Sequence, residues 1–309
     1  MGEPLAMFSL SFFASHKCDH AEHADKPHAR KSLWFDVIGL LVGLFGALPV
    51  CAERLSVRYP LEAERETYPI KVLTLALKKS GVEYTMAAFP AEMAQSRALM
   101  QLAQGHDITI TWTMTSKERE QGLLPIRIPI DKGLLGWRLF LINKKDQAEF
   151  AKVKSLTDLK LHTAGQGHDW PDTAILQSSG LSVQVAPKYD NLFRMLQVRR
   201  FDYFPRSVME IWDEQKRFAQ NGVVVEETLL VQYPAPYYFF VNKNDKALAS
   251  AIENGLNIAI KDGSFDVLFN QAFGDAILRA HLNTRTRLQL NNPLLPAETP
   301  LSRKELWMY

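Results

Sequence analysis

The sequence predicts an α/β protein of two lobes, in which each lobe is a mostly parallel sheet flanked by helices. Two observations lead to this class. Strand-like and helix-like stretches alternate from Glu53 onward, and segments that contain proline and glycine interrupt the alternation twice. The 309 residues, 47% of them hydrophobic, are enough to bury two cores of medium size.

The first lobe is predicted from three strands that alternate with two helices. Apolar residues have helical spacing in YPIKVLTLALKKSG and AEMAQSRALMQLAQG, and these stretches stop at Gly81 and Gly105. The stretches around them, RLSVRYP, VEYTMAAF and DITITW, alternate like strands. This β-α-β-α-β order implies parallel neighbours, because each crossover helix returns the chain to the same end of the sheet.

The second lobe repeats this order after the stretch LLPIRIPIDKGLLG. Its predicted strands are LKLHTA, VQVAPKY and FDYFP, and its predicted helices are DTAILQSSG, NLFRMLQVRR and RSVMEIWDEQKRFAQNG. Pro205 is thereby predicted to end a strand, and Arg206 to stand where a helix begins. A second proline-bearing segment, VQYPAPYY, leads to the strand YFFVNK and to two helices that end near Leu282.

The predicted domain boundaries follow from these two interruptions. Residues 1–52 are expected to be an N-terminal extension with a signal peptide, residues 53–133 together with 237–309 to form lobe 1, and residues 134–236 to form lobe 2. The chain crosses between the lobes near Lys132 to Gly136 and near Tyr233 to Pro236, and we expect these crossings to act as hinges. A ligand-binding cleft is expected where strand ends and helix N-termini of both lobes meet.

An export signal is predicted near the N-terminus. A basic stretch at Arg30 precedes an uncharged apolar run from Val37 to Val50, which is shorter than the roughly 20 residues that span a bilayer. Val50 and Ala52 suit the positions three and one residues before a signal-peptidase cut, so we expect cleavage after Ala52 and a periplasmic protein. The alternative is an uncleaved membrane anchor that starts near Leu33.

Composition and spacing argue against several partners and cofactors. The formal charge is +2, and no window has the clustered Lys and Arg that binding to a phosphate backbone requires, so no nucleic-acid partner is expected. Cys18, His20, His23 and His28 lie close together, but their spacing matches no standard zinc pattern. The sequence therefore predicts no metal and no cofactor.

Three stretches carry a family resemblance that spans about residues 53–282. They are DITITWTMTSKERE, LINKKDQAEFAKVKSLTDLKLHTAGQGHDW and FFVNKNDKALASAIENGLNIAIKDGSFDVLFNQAFG. They are similar to the strand-and-arginine signature, the opening of the second lobe and the closing two-helix block of the bacterial extracellular solute-binding proteins of the amino-acid-binding type (family 3). The resemblance implies a two-lobed periplasmic-binding-protein-like fold (type II) with two hinge crossings.

The resemblance implies that Arg119 binds the carboxylate of the ligand, because Arg119 follows the strand-start residue Asp107 by twelve positions, as in the family signature. A guanidinium can hold a carboxylate through two parallel hydrogen bonds, which a lysine cannot do. Thr113 of the same signature is a second candidate. The alternative for Arg119 is a surface position on the charged helix KERE.

The turn GQGHDWPDT falls where the family presents backbone N–H groups and a hydroxyl to the anionic end of the ligand. Gly165 and Gly167 let the backbone approach closely, and the helix that follows points its positive end at the cleft. A dinucleotide-binding fingerprint would need a third glycine where Trp170 stands. His168 and Asp169 are open to interpretation as cleft polarity or a metal-binding pair, and Trp170 as a stacking or a packing residue. The candidates from this turn are Gln166, Gly167, His168, Asp169, Trp170 and Thr173.

A departure from the family occurs where the ligand's α-amino group is recognised. The family places an aspartate five positions after the aspartate of a second-lobe strand, and counted from Asp202 this position is Ser207, preceded by Arg206. A guanidinium in place of a carboxylate favours an anionic solute, or one with a carboxylate at each end. Two alternatives stay open: Arg206 is neutralised by Glu210 or Asp202, or Glu210 itself takes the amino group.

The remaining candidates are aromatic residues at positions where the family has stacking rings, and one arginine. Core or hinge packing is the alternative for the aromatic residues, and a solvent-exposed position is the alternative for the arginine. These candidates are Tyr59, Trp112, Tyr237 or its neighbour Tyr238, and Arg97.

The expected function is that of an exported, monomeric solute-binding protein that traps a small anionic or zwitterionic solute and passes it to an inner-membrane permease or sensor. One alternative is an enzyme on the same scaffold, similar to the periplasmic cyclohexadienyl dehydratases, with Glu210, Asp169 or His168 as general acid. The chain has no Gly-x-Ser-x-Gly, His-Glu-x-x-His or P-loop motif, so we do not expect an enzyme. The other alternative is a ligand-sensing module anchored by an uncleaved segment.

Overall fold

The computed structural model describes residues 54–61, 67–219 and 222–308, so the predicted signal peptide and its cleavage site lie outside the described residues. The first part of the chain forms β1 (Leu55–Leu61), α1 (Thr67–Ser80), β2 (Tyr84–Glu92), α2 (Gln95–Gln104), β3 (Ile110–Met114), α3 (Lys117–Gly122) and β4 (Leu123–Ile126). The middle part forms β5 (Trp137–Asn143), α4 (Gln147–Phe150), α5 (Leu156–Leu159), β6 (Thr163–Gly167), α6 (Pro171–Ser178), β7 (Ser182–Ala186), α7 (Tyr189–Gln197), β8 (Tyr203–Ser207), α8 (Ile211–Phe218), β9 (Val223–Val225) and β10 (Leu229–Gln232). The last part forms β11 (Tyr237–Asn242), α9 (Lys246–Lys261), α10 (Ser264–Ala280) and β12 (Thr286–Gln289).

The strands form two groups, which we call the first and the second lobe. In the first lobe β1 pairs with β2 in parallel, and β11 lies antiparallel between β3 and β4. The Thr109 amide donates to the Arg58 carbonyl at 2.8 Å and joins these two sheets. The second lobe is a seven-stranded sheet in the order β12-β10-β5-β8-β6-β7, with β9 also paired to β5. The α/β class and the two-lobed architecture agree with the prediction.

The direction of several strands differs from the mostly parallel pattern that the sequence predicted. β5 runs antiparallel to β8, β9 and β10, and β11 runs antiparallel to both of its neighbours. Each of these two strands is the first to follow a crossing between the lobes. The chain therefore enters the new sheet without a crossover helix to set a parallel direction.

Strand β8 continues past the proline that was predicted to end it, so Arg206 lies within a strand and not at the start of a helix. Leu139 of β5 pairs with Arg206, and Phe140 pairs with Pro205. On the other side the pairing with β6 reaches only Tyr203, so the nitrogen of Pro205 has no ladder bond to donate there. The helix α8 begins five residues after Arg206, at Ile211.

Strand β6 also begins later than the stretch LKLHTA predicted. Residues Leu156–Leu159 form the short helix α5. Ser155 and Asp158 cap its N-terminus with reciprocal hydrogen bonds between side chain and backbone. The strand then starts at Thr163 and ends at Gly167. This shift brings the turn at residues 168–170 to the end of the strand, next to the start of α6.

The two crossings between the lobes are hydrogen-bonded to each other. The Tyr233 amide donates to the Gly136 carbonyl at 3.2 Å. A β-carbon on Gly136 would lie 1.9 Å from the Tyr233 carbonyl oxygen, so only glycine permits this approach. Beside this junction, one hydrophobic core extends from Val72 and Phe239 of the first lobe to Leu139 and Phe204 of the second.

Two further features of the described residues bear on the function. None of their helices combines the length and the apolar character needed to cross a bilayer. The strand β12, which was predicted to belong to lobe 1, pairs in parallel with β10 at the edge of the second lobe's sheet.

Candidate functional site

A cavity of about 430 Å³ lies between the two lobes, and we call it the main cavity. Its walls come from α1, α2, β3, α10 and β11 of the first lobe, from the first crossing, and from β5, β8, α6, α7 and α8 of the second lobe. The charged side chains of the lining are two arginines and five carboxylic acids, so acids outnumber bases. They are Arg138, Arg206, Asp131, Asp172, Glu210, Asp213 and Glu214.

A second cavity of about 560 Å³ adjoins the main cavity, with which it shares Trp170 and Pro171. Helix α3 forms one wall, and α6 with the turn before it forms the other. We call it the side cavity. Arg119 lines the side cavity, whereas its hydrogen-bond partners Gln95 and Thr113 line the main cavity. The Arg119 side chain therefore lies where the two cavities meet.

Arg119 is held by neutral groups. Its Nη1 donates to Thr113 Oγ1 and to the Met114 carbonyl, both at 2.7 Å, and its Nη2 donates to Gln95 Oε1 at 2.8 Å. No carboxylate among the described residues forms an ion pair with it. Burial lowers the pKa of Arg119 and outweighs the opposing effect of nearby acids such as Asp172. A positive charge with this burial and without a paired anion is suited to an anionic ligand group.

Arg206 has the opposite environment, because it is almost fully buried among acids and rings. Its Nε and Nη2 donate to both oxygens of Glu214 at 2.7 and 2.8 Å, and Nη2 lies 2.8 Å from Glu210 Oε2. The guanidinium carbon lies 5.0 Å from the ring centre of Trp170 and 4.8 Å from that of Phe204. Burial by itself would lower the pKa of Arg206, but Glu210 and Glu214 outweigh burial and raise it. Two carboxylates therefore neutralise Arg206 within the protein.

A second buried arginine, Arg138, links the site to the crossings. Its Nη2 lies 2.6 Å from Asp172 Oδ1, and Nη1 lies 3.4 Å from Glu210 Oε1. The hydroxyl of Tyr233, a residue of the second crossing, also donates to Asp172. A side chain of the second crossing is thus hydrogen-bonded to an acid in the wall of the main cavity.

Glu210 differs from the other acids of this network in its exposure. Its side chain is 28% exposed, against 7% for Asp172 and 1% for Glu214. Its Oε1 accepts from the Ser207 amide at 3.0 Å. Burial raises the pKa of Glu210 above its usual range, and the neighbouring Arg206 opposes this effect. Glu210 is therefore a carboxylate that a solute in the main cavity can reach.

The sequence-predicted candidates line the main cavity, the side cavity or neither of the two. Thr113, Trp170, Arg206, Glu210 and Tyr237 line the main cavity. Arg119, His168, Asp169, Trp170 and Thr173 line the side cavity. Gln166, Gly167, Trp112 and Ser207 are buried and line neither cavity, and Tyr59 and Arg97 also line neither.

The candidates outside the cavities have structural contacts of their own. Tyr59 packs against Trp112 at a ring distance of 6.0 Å, and Arg97 is exposed on α2. Ser207 donates through Oγ to the Leu134 carbonyl at 3.1 Å and so ties β8 to the first crossing. Both amide atoms of the Gln166 side chain are buried without a hydrogen-bond partner among the described residues.

Sequence reasoning missed several residues of the main cavity. Arg138 is the clearest case, because a single arginine within the apolar strand WRLFLI indicates a buried charge that needs a paired acid. Asp172 follows a proline at the start of α6, where the sequence predicts a helix N-terminus but no site residue. Asp131 accepts from the amides of Gly133 and Leu135, and burial raises its pKa to about 7. No sequence signal identifies Tyr189 and Glu214, since only the fold brings them to Arg206.

Metal binding has no support in the part of the chain that the structure describes. Groups of three or more His, Cys, Asp or Glu side chains with suitable spacing do not occur there. His168 Nδ1 and Asp169 Oδ1 lie 3.7 Å apart, and both side chains are largely exposed. The cluster of Cys18, His20, His23 and His28 lies outside the described residues.

Comparison with known proteins identifies the fold. No family model and no curated protein matches the chain. Among solved structures, an ancestral arginine-binding protein bound to arginine is 19% identical with a TM-score of 0.54, over 72% of this chain and 99% of that one. A structure described as a basis of glutathione import in Streptococcus mutans is 15% identical with a TM-score of 0.55, over 72% and 95%. An ancestral amino-acid-binding protein described as a precursor of cyclohexadienyl dehydratase is 16% identical with a TM-score of 0.50, over 71% and 95%. The chain therefore has the fold of the two-lobed periplasmic amino-acid-binding proteins.

Proposed function

We propose that this protein is an exported solute-binding protein that traps a small zwitterionic, amino-acid-like solute between its lobes. The observation that carries the proposal is the contrast between Arg119 and the rest of the site. Arg119 is a largely buried guanidinium with neutral partners only among the described residues, and the wall of the main cavity holds five acids against two arginines. A solute with one carboxylate and one ammonium group is complementary to this arrangement.

The carboxylate of the solute is assigned to Arg119, and its cationic group to Glu210. Glu210 is the accessible acid of the buried network, and Asp213 of the same cavity wall adds a second negative charge. A solute with a carboxylate at each end, which the sequence favoured through Arg206, has less support because Arg206 is already paired with Glu210 and Glu214. The similarity to the arginine-binding and glutathione-import structures supports an amino-acid-like solute at the level of the fold.

The enzyme alternative rests on one solved neighbour and on three acid candidates. Glu210 lines the main cavity, whereas His168 and Asp169 line the side cavity. The three side chains therefore do not converge on one reacting position in this structure.

We propose a binding protein, located in the periplasm after cleavage behind Ala52, with a permease or sensor as its partner. N-terminal sequencing of the exported protein should begin at Glu53, and an intact N-terminus in the membrane fraction would contradict this location.

The first test is a thermal-shift screen with amino acids and dicarboxylates, followed by calorimetry on the best ligand. We expect amino acids to stabilise the protein. Arg119→Ala should weaken their binding by about 2–5 kcal/mol, because it removes the partner of a desolvated carboxylate. Arg97→Ala, which removes an exposed arginine from α2, is the matched control and should bind like the parent. Stabilisation by dicarboxylates alone, or equal binding by both variants, would contradict the proposal.

The second test is the pH dependence of the binding. The cationic group of the solute requires the ionised form of Glu210, whose pKa is raised by burial. Affinity should therefore fall as the pH is lowered, and the fall should start at a higher pH than an ordinary glutamate would produce. Glu210→Gln should bind more weakly at neutral pH and lack this part of the pH dependence. Glu149→Gln, at a side chain that is 63% exposed, serves as the control, and an unchanged profile in Glu210→Gln would remove Glu210 from the site.

A further inference from the structure

Residues 286–308, which we call the strap, contact both lobes and both crossings. The strap begins in the second lobe, where β12 pairs with β10. Directly after β12, the Leu290 amide donates to the Gln232 carbonyl at 2.8 Å. Asn292 Nδ2 then donates to the Pro234 carbonyl at 2.8 Å, within the second crossing. The strap is thereby hydrogen-bonded to the backbone of a hinge segment.

The strap continues to the first lobe at the helix that carries Arg119. The Leu294 carbonyl accepts from the Lys117 amide at 3.0 Å, and the Pro293 carbonyl accepts from Lys117 Nζ at 3.0 Å. Lys117 is the first residue of α3. Asn292 Oδ1 also accepts from the Leu294 amide at 2.9 Å, so the contacts to the crossing and to α3 belong to one short turn of the strap.

A second anchor of the strap lies on the first crossing. The Met308 amide donates to the Lys132 carbonyl at 2.8 Å. The ring of Trp307 covers Gly133, where a β-carbon would lie 2.6 Å from the ring. Leu306 is fully buried, and Arg303 donates to Asn257 of α9 at 3.2 Å, so this end is fixed to the first lobe.

The first crossing lies between the strap and the ligand cleft. Leu135 of this crossing and Asp131 directly before it line the main cavity, whereas Lys132 and Gly133 face the strap and line a separate cavity of about 380 Å³. Trp307 and Tyr233 also belong to the lining of this separate cavity. A change in the backbone angles of the crossings would therefore alter the contacts of the strap as well as the shape of the cleft.

We propose that the strap sets the angle between the lobes, because it holds both crossings in one backbone conformation and is itself fixed to both lobes. Bending at the crossings has to break or displace the contact of Asn292 with Pro234 and that of Trp307 with Gly133. Loss of either anchor therefore shifts the population of lobe arrangements. This inference goes beyond solute binding, and its test needs no solute, so it can fail while the proposed function stands.

The test measures the distance between the lobes in the free protein. Spin labels are attached to Lys78→Cys on α1 and to Val198→Cys after α7, both at exposed positions, in a full-length chain with Cys18→Ser and Cys51→Ser. Asn292→Ala and Trp307→Ala should each broaden or shift the distance distribution measured by pulsed electron paramagnetic resonance. Asn291→Ala is the matched control, because Asn291 is the exposed neighbour and makes no hydrogen bond with the crossing.

The outcomes separate a strap from a merely stabilising tail. A change in Asn292→Ala and Trp307→Ala, with Asn291→Ala identical to the parent, supports the proposal. If the two anchor variants have lower melting temperatures but the parent's distance distribution, the strap only stabilises the fold and the proposal is wrong. An equal change in Asn291→Ala would also overturn the assignment of the anchors. Should Trp307→Ala fail to fold, the half-buried Asn292 provides the decisive comparison on its own.

Discussion

At the scale of the residue, the hydrogen-bonding and ion-pair partners of a buried arginine decide whether its charge is available to a ligand or is balanced within the fold. Arg119 and Arg206 both stand at the border of the cleft, and both are at least half shielded from solvent. Arg119 is surrounded by a hydroxyl, a carbonyl and an amide, so its charge is solvated by dipoles and remains available. Arg206 is held by two carboxylates and three aromatic rings, so its charge is balanced inside the protein.

The first prediction concerns Arg206. Arg206→Ala should lower the free energy of unfolding by about 3–5 kcal/mol, because it leaves the buried carboxylate of Glu214 without its cation. Denaturant unfolding of the parent and the variant measures this loss. Arg217→Ala, which removes an exposed arginine of α8, should change stability little. A variant with parental stability that no longer binds a solute would instead make Arg206 a ligand-binding residue.

At the scale of the element, a short helix places the residue on which the proposed function depends. α3 has only six residues, Lys117–Gly122, too few to be stable by itself. Its start is fixed by the Ser116 side chain, which accepts from the Arg119 amide at 3.2 Å, and by the strap at Lys117. The position of Arg119 thus depends on the cap and on a segment that lies 176 residues from Lys117 in the sequence.

The second prediction concerns this cap. Ser116→Ala should lower the free energy of unfolding by about 0.5–2 kcal/mol and should also weaken amino-acid binding, because α3 loses its N-terminal hydrogen bond. Unfolding and calorimetry on the same preparation measure both effects. Ser116→Thr retains the acceptor and should restore both properties. Weaker folding with parental affinity would show that the cap does not position Arg119.

At the scale of the whole molecule, the proposed closure has few degrees of freedom, because two hydrogen-bonded crossings and the strap connect the two lobes. Gly136 brings the crossings into backbone contact, and Tyr233 connects them to Asp172 in the cleft. In the proposed function, a solute pairs with Arg119 of the first lobe and Glu210 of the second, and it makes both contacts only when the lobes hold the correct distance. Under this proposal, binding energy is coupled to the angle between the lobes.

The third prediction is compaction on binding. The radius of gyration from small-angle X-ray scattering should decrease when the parent is saturated with the best amino acid from the screen. Arg119→Ala at the same amino-acid concentration should keep the radius of the free protein. If the saturated parent keeps its free radius, the solute binds without closure of the lobes.

The sequence by itself determined the α/β class, the two-lobed fold and the alternation of strands and helices. These properties are local or periodic, because apolar spacing, glycine stops and turn residues act over a few neighbours. Thr113, Arg119 and Trp170 were identified through the family resemblance and Glu210 as a neighbour of Arg206, and all four lie in cavity walls.

Only the tertiary structure decided which charges are paired and what the strap contacts. Glu214 and Tyr189 reach Arg206 because α7 and α8 pack beside β8, and Asp172 reaches Arg138 because β5 and α6 meet at the cleft. Asn292 and Trp307 meet the crossings through a chain path that no local pattern encodes. The net charge of a site is the sum over contacts between residues that are distant in sequence, so periodicity and motifs cannot predict it.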